Sequence, residues 1–369
     1  MNPDAPHTDL AHPAWLVLLG VVFAAAGLML RRRGSKSFWP FAALAAIVVA
    51  NLLFTGNFGL LWAGDGRLYG ALVDVARRGS RVMLLATGMT LVIATAGIDL
   101  SVGAVMAIAG AVSALVLTRT GLPVPAAVVA ALAVAAVAGL WNGLLVAFLR
   151  LQPIVATLIL LVAGRGIAQL LTEGQIITFE RPGFEYLGTG ALLGLPVPLW
   201  LVAAVVALTV LVTRKTVAGL YIEAVGGNES AARLSGLRPR LVKLLVYGFS
   251  GLCAGVAGVI YTADLKAADI NNCGLYKELD AILAVVIGGT AFSGGRARVA
   301  GSILGALIMQ TLTTTILMRG VQVEYTLVVK ALAVIAVCLL QSEQFRRVVF
   351  ARWLPRAGRA RNGQAPSGA

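Results

Sequence analysis

From Val82 to Leu117 the chain is apolar, interrupted only at GIDLSVG. Comparable apolar runs recur along the whole sequence, at roughly 15–30, 38–55, 80–98, 101–118, 123–149, 153–172, 197–213, 241–262, 279–292, 299–317 and 326–341. About 20 apolar residues suffice to cross the hydrocarbon of a bilayer as a helix. Eleven spans of an all-α polytopic membrane protein are therefore predicted. The runs are continuous rather than alternating, which argues against a β-barrel. Only 12% of residues are charged, about half the share of a soluble domain.

The formal charge of +14 would suggest nucleic acid in a soluble chain. Here Lys and Arg cluster at the ends of apolar runs, so we read them as topology signals and lipid-headgroup contacts and expect no nucleic-acid partner. With alternating spans and Arg31–Arg33 inside, nineteen cations fall inside and nine outside. The C-terminal tail then lies in the cytoplasm. Arg67, Arg77, Arg78 and Arg81 run against the bias. Trp15 to Leu30 is followed at once by RRRGSK, with no cation before it, which is the reverse of a cleaved signal. It reads as a first span with its N-terminus outside, or as an over-long gene start. Three outer loops, 55–79, 173–196 and 263–278, are long enough to meet something.

Between two apolar runs lies the most polar stretch of the second half, GLYIEAVGGNESAARLSGLRPR, residues 219–240. It reads as a short capped helix. Asn228 is a good N-cap, Glu229 sits in the first turn and Gly236 stands at the C′ position. Glu229 and Arg233 have the spacing of a helical ion pair. So short a helix gains little from propensity alone and needs something packed on it. Either an ordinary loop helix or a docking element fits.

Few residues offer chemistry. His7 and His12 are the only histidines, the three cysteines form no motif, and no phosphate-binding GxxxxGK[ST] loop occurs. We expect no metal, no cofactor and no catalytic residue, with any nucleotide-driven work done by another chain. Asp99 breaks the longest apolar run between Gly97 and Gly103. It reads as a gate or path element at a broken helix, or as the cap of a helix starting near Ser101. Arg165 and Lys330 are the other buried charges, expected to pair with a carboxylate or carbonyl of a neighbouring helix. Asn142 and Gln152 join Asp99 and Arg165 as candidates for a hydroxyl-tolerant path, although Asn and Gln also serve as interhelical glue. Glu278 and Asp280 do not share a helix face, so they are no glycosidase pair. The run from Ile287 to Ala297 reads as a tight hairpin.

Four segments taken together carry a resemblance: residues 84–110, 139–175, 222–236 and 278–290. They are similar to the permease subunits of bacterial ABC sugar importers, in the ribose and branched-chain amino acid permease superfamily. The wording ADINNCGLYKELDAILAVVIGGT and QPIVATLILLVAGRGIAQLLT looks closest to the galactofuranose type. The match runs over roughly 38–345. The resemblance implies the ten-span type II importer fold over 38–345, preceded by a tail and extra span at 1–37 and followed by a basic cytoplasmic tail at 346–369. It implies that 214–240 is a cytoplasmic coupling loop in which Gly226, Asn228, Glu229, Ala231, Ala232, Arg233 and Gly236 meet a separate ATPase. It also implies a periplasmic sugar-binding protein, a second permease that is identical or homologous, and location in the bacterial inner membrane. The rival readings are a stand-alone facilitator or secondary transporter of a small polar solute, and a membrane-embedded enzyme.

Overall fold

A computed structural model describes residues 38–54 and 67–318, with positions 8–9, 58, 61–64, 320 and scattered residues from 325 to 335. The expected span at 15–30, most of that at 326–341 and the C-terminal tail lie outside the described residues. Twelve helices are described: α1 (Phe38–Phe54), α2 (Ala71–Ala94), α3 (Val102–Arg119), α4 (Val124–Ala147), α5 (Pro153–Leu171), α6 (Pro182–Thr189), α7 (Val197–Lys215), α8 (Val217–Gly227), α9 (Glu229–Leu234), α10 (Pro239–Leu265), α11 (Lys277–Ile287) and α12 (Val299–Met318). Six of them, α3, α4, α5, α7, α10 and α12, are long and apolar enough to cross a membrane. The chain is thus a multi-pass helical membrane protein.

Pro at the first turn starts α4, α5, α6, α7 and α10, where the missing N–H costs nothing. At the centre, α10 packs on α2, α3 and α4. Lipid tails give helices no hydrophobic reason to associate, so packing must come from close backbone approach. Gly139 of α4 lies against Gly251 of α10. A side chain on either would collide with the facing backbone, a Cβ on Gly251 lying 2.9 Å from Gly139 Cα.

The short strands lie in connections. Thr8–Asp9 (β1), Leu61–Gly64 (β2) and Arg67–Gly70 (β3) form an antiparallel sheet in that order. Ile177–Thr178 (β4) pairs with Ala267–Ala268 (β7), and Ala191–Leu192 (β5) with Leu195–Pro196 (β6).

Two breaks depart from the spans expected. The α2–α3 connection does not turn at Asp99. Helix α2 ends at Ala94, the chain turns at Thr95 and Ala96 (φ 59°), and residues 97–99 run back into the bundle. The second break replaces the outer loop expected at 263–278. After β7 the chain passes inward along α3 as non-helical backbone, with Ile270 and Cys273 buried and Gly274 pressed against Gly103. Helix α11 starts only there. Its eleven residues cover about 16 Å, roughly half the hydrocarbon thickness, so the span expected at 279–292 is half a span. Non-helical backbone at this depth is tolerated when protein buries it.

Asp280 of α11 anchors the second break. Its carboxylate lies 3.1 Å from both Lys330 Nζ and Lys277 Nζ, and Asp280 and Lys330 are each less than 9% exposed. Lys330 therefore has the expected structural partner. Removing one member of such a group leaves a buried charge uncompensated, at about 3 kcal/mol or more. Asp280→Asn is expected to lower the thermal midpoint in detergent by several degrees, read by intrinsic fluorescence. An unchanged midpoint would show that the lysines find other partners.

Candidate functional site

The first break closes around a buried carboxylate. Asp99 is 1% exposed. Its Oδ1 accepts from Ser101 Oγ at 2.7 Å and Ser101 N at 3.1 Å, and more distantly from Asn142 Nδ2 at 3.5 Å. Its Oδ2 accepts from Ser250 Oγ at 2.9 Å, and Asn142 Nδ2 donates to Ser101 Oγ at 2.7 Å. The neighbouring Ile98 carbonyl accepts from Tyr247 Oη at 3.2 Å. The carboxylate therefore both holds the backbone at the start of α3 and ties α3, α4 and α10 together. Each interaction is charge-assisted or shielded from water, where hydrogen bonds are strongest. Gly88 packs on Ser250, a Cβ on it lying 2.9 Å from Ser250 Cα, so Asp99 sits near the level of Gly88. Six residues of α2 separate that level from Ala94, or about 9 Å.

Arg165 faces the other break. Its Nη1 donates to the carbonyls of Cys273 at 2.6 Å and Ile270 at 3.2 Å. The expected carbonyl pairing is present, and it serves backbone that no helix satisfies. Near by, Glu278 is 8% exposed, and neither its Oε2 nor Asn142 Oδ1 has a hydrogen-bond partner among the described residues. Asp99 and Asn142 thus come together, and Arg165 joins the second break. Gln152 does not belong with them. It is exposed in the α4–α5 turn, at the end of the bundle that carries α9. Ser101, Tyr247, Ser250 and Glu278 were missed as members of these clusters. The one signal for Ser250 and Tyr247 was a pair of hydroxyls three apart in an otherwise apolar span.

The segment 214–240 folds as two helices. Helix α8 begins at Thr216, whose Oγ1 accepts from Ala218 N. Helix α9 has the caps expected. Asn228 Oδ1 accepts from Ala231 N at 3.0 Å, and Gly236 is left-handed at φ 84°. Gly236 N donates to Arg233 O and Leu237 N to Ala232 O, completing a Schellman closure. Glu229, however, pairs with Lys243 of α10 at 2.5 Å rather than with Arg233. A cation on a neighbouring helix displaces the local partner. Ala232 is buried against the chain itself, while Ala231 and Arg233 are exposed and Leu234 is 90% exposed.

Helix α8 is fitted to the first break. A Cβ on Gly226 would overlap the Ala94 carbonyl at the end of α2 and stand 2.7 Å from Gly295 N. Gly295 N itself donates to Ala94 O at 2.9 Å, and Ala297 N to Glu223 Oε1 at 3.3 Å. The run from Ile287 to Ala297 is accordingly a tight turn before α12, wedged between α8 and the tip of α2. At the opposite end of the bundle Lys266 Nζ lies 2.6 Å from Glu185. Each partner's charge and hydrogen bond hold that carboxyl below its usual range and the ammonium above its own.

A bundle crossed by two broken segments, with polar groups buried at the breaks and a capped helix pair outside, has the organisation of a membrane permease. The model of the branched-chain amino acid transport system/permease component family matches residues 71–338, and the chain belongs to that family. It is 50% identical over 312 residues to the galactofuranose transporter permease protein YtfT of Escherichia coli K12, covering 83% of this chain and 91% of that one. Identity to the fructose import permease protein FruF of Bifidobacterium longum is 40%, covering 84% and 88% of the two chains. For the ribose import permease protein RbsC of E. coli K12 it is 39%, covering 74% and 86%.

Proposed function

We propose that the chain is the transmembrane permease of an ATP-binding-cassette importer that carries a monosaccharide of the galactofuranose or ribose kind inward across the bacterial inner membrane. The contact of α8 with the tip of α2 carries the reading. It links an exposed helix pair to the break that holds Asp99, as an ATPase-driven transporter requires. Similarity over 74–84% of the chain to three sugar permeases supports the substrate class. ATP hydrolysis then belongs to a cytoplasmic ATPase docked on α9, sugar affinity to a periplasmic binding protein, and the complete pathway to a second permease, identical or homologous. The C-terminus faces the cytoplasm, as the charge bias expects.

Closure of the ATPases shifts α9 and α8 as one body, because α9 is capped at both ends and packs on α8. Gly226 and the Gly294–Gly295 turn pass the shift to Ala94 and residues 95–101. Rearrangement of the Asp99 cluster and of the Arg165-held segment then alternates access. Asn142 Oδ1 and Glu278 Oε2 are acceptors free for sugar hydroxyls, and Arg165 is a donor. Such contacts are weak enough for release inward. Gln152 acts at the cytoplasmic rim.

The test is uptake of labelled sugars into proteoliposomes. Transport is expected only with ATPase, binding protein and ATP present. Flux through the chain alone would favour a facilitator and overturn this proposal. At the docking surface, Leu234→Asp is expected to leave insertion and thermal midpoint unchanged and to reduce ATPase co-purification and uptake by roughly a hundredfold, since a buried unpaired charge costs about 3 kcal/mol. Ala232→Asp is unsuited to this purpose, because Ala232 packs within the chain. Wild-type co-purification of Leu234→Asp would remove α9 from the contact.

A further inference from the structure

Beside α9 a groove of about 900 Å³ opens between the α4–α5 turn and the start of α10. Its cations are Arg150, Arg233, Arg238, Arg240 and Lys243, and its one acid is Glu229. Glu229 is already neutralised by Lys243. None of the four arginines makes an ion pair among the described residues, and Arg240 instead lies 6.0 Å from the Phe148 ring centroid. Two helix N-termini open into the same groove. Helices α5 and α10 both start with Pro, and neither Gln152 nor Arg238 supplies a side-chain cap. Uncapped first-turn N–H groups and the positive end of the helix dipole favour an anion. Four unpaired guanidinium groups add a geometry suited to phosphate oxygens.

The surroundings favour one source of phosphate. Phe148, just past the end of α4, and Leu241 of α10 line the groove, Leu144 and Leu245 follow one turn away on the same helices, and all four are between 40% and 64% exposed. They form an apolar shelf that continues from the cationic floor along exposed sides of two helices. A free anion has no use for such a shelf, whereas a phospholipid fills both parts. We propose that this groove is a binding site for an anionic phospholipid, with the headgroup phosphate on Arg150, Arg233, Arg238 and Arg240 and acyl chains along α4 and α10. The site adjoins α9 and the turn that carries Gln152, and it does not depend on which sugar is carried.

Native mass spectrometry of the purified chain in micelles containing equal phosphatidylglycerol and phosphatidylcholine tests it. Retention of phosphatidylglycerol over phosphatidylcholine is expected, with the preference falling by roughly fivefold for each arginine removed. Arg238→Gln/Arg240→Gln and, separately, Arg150→Gln/Arg233→Gln are both measured, so that a folding defect in one pair does not decide the outcome. Circular dichroism confirms that each is folded. Equal retention of the two lipids by the wild type, or an undiminished preference in both variants, overturns the site. Displacement of the lipid by millimolar inorganic phosphate alone would reduce it to an anion site and overturn the lipid assignment.

Discussion

Gly226→Val is expected to abolish transport while the chain still inserts in the membrane. A β-carbon at this position overlaps the Ala94 carbonyl and crowds Gly295 N. All three atoms are backbone, so none can swing aside as a side chain would. Helix α8 has to move away from α2, breaking the route from the exposed helix pair to the first break. Overpacking of this kind costs about 1–3 kcal/mol, enough to separate the contact without unfolding the bundle. ATP-dependent uptake is expected to fall below detection, with ATPase co-purification retained because α9 is untouched. Gly226→Ala should already lose most uptake. Full transport by either variant would show that α8 can leave α2 without consequence, and the proposed transmission would fail.

Replacing Asp99 separates its two readings. Asp99→Ala removes the acceptor shared by Ser101 and Ser250 and leaves buried hydroxyls and the Asn142 amide to re-pair. The cost is about 3 kcal/mol, and both thermal midpoint and uptake should fall. Asp99→Asn is the informative variant. Asn is as good as Asp at holding the start of a helix, and a hydroxyl can turn to accept from the new amide. If capping of Ser101 is the whole role, Asn restores midpoint and uptake together. If the charge that gathers Ser101, Asn142 and Ser250 matters to the transport cycle, Asn restores the midpoint and leaves uptake at a small fraction of wild type. We expect the second pattern. Recovery of both would reduce Asp99 to a cap.

What could be read from the sequence follows the range of the interactions involved. The caps of α9 depend on residues within a few positions of each other, so Asn228 and Gly236 were legible. Glu229 was not, because a lysine fourteen residues away, on another helix, won over the arginine four residues away. The break near Asp99 was legible from one carboxylate in a long apolar run. The fold-back at Thr95–Ala96 was not, since nothing local distinguishes a turn from a rise. Gln152 shows the same limit. A polar residue beside proline carries no mark of depth, and this one lies at the rim. The stretch 263–278 was legible only in part. Asp269, Asn271, Asn272 and Lys277 made the stretch look like a solvated loop. Asn271 and Asn272 are indeed exposed, but the Ile270 and Cys273 carbonyls are held from inside by Arg165, a residue more than a hundred positions earlier.

That inward stretch has a further consequence. Between β7, fastened to β4, and the start of α11, where Gly274 meets Gly103, the chain bridges two fixed points without a helix to take up slack. A surface loop absorbs an added residue at little cost. Here an extra residue would push Gly274 off Gly103, and a missing one would drag α11 and its Asp280 anchor toward the opposite face. The number of residues from Ala268 to Lys277 is therefore a dimension of the machine, as fixed as the length of any helix that crosses it.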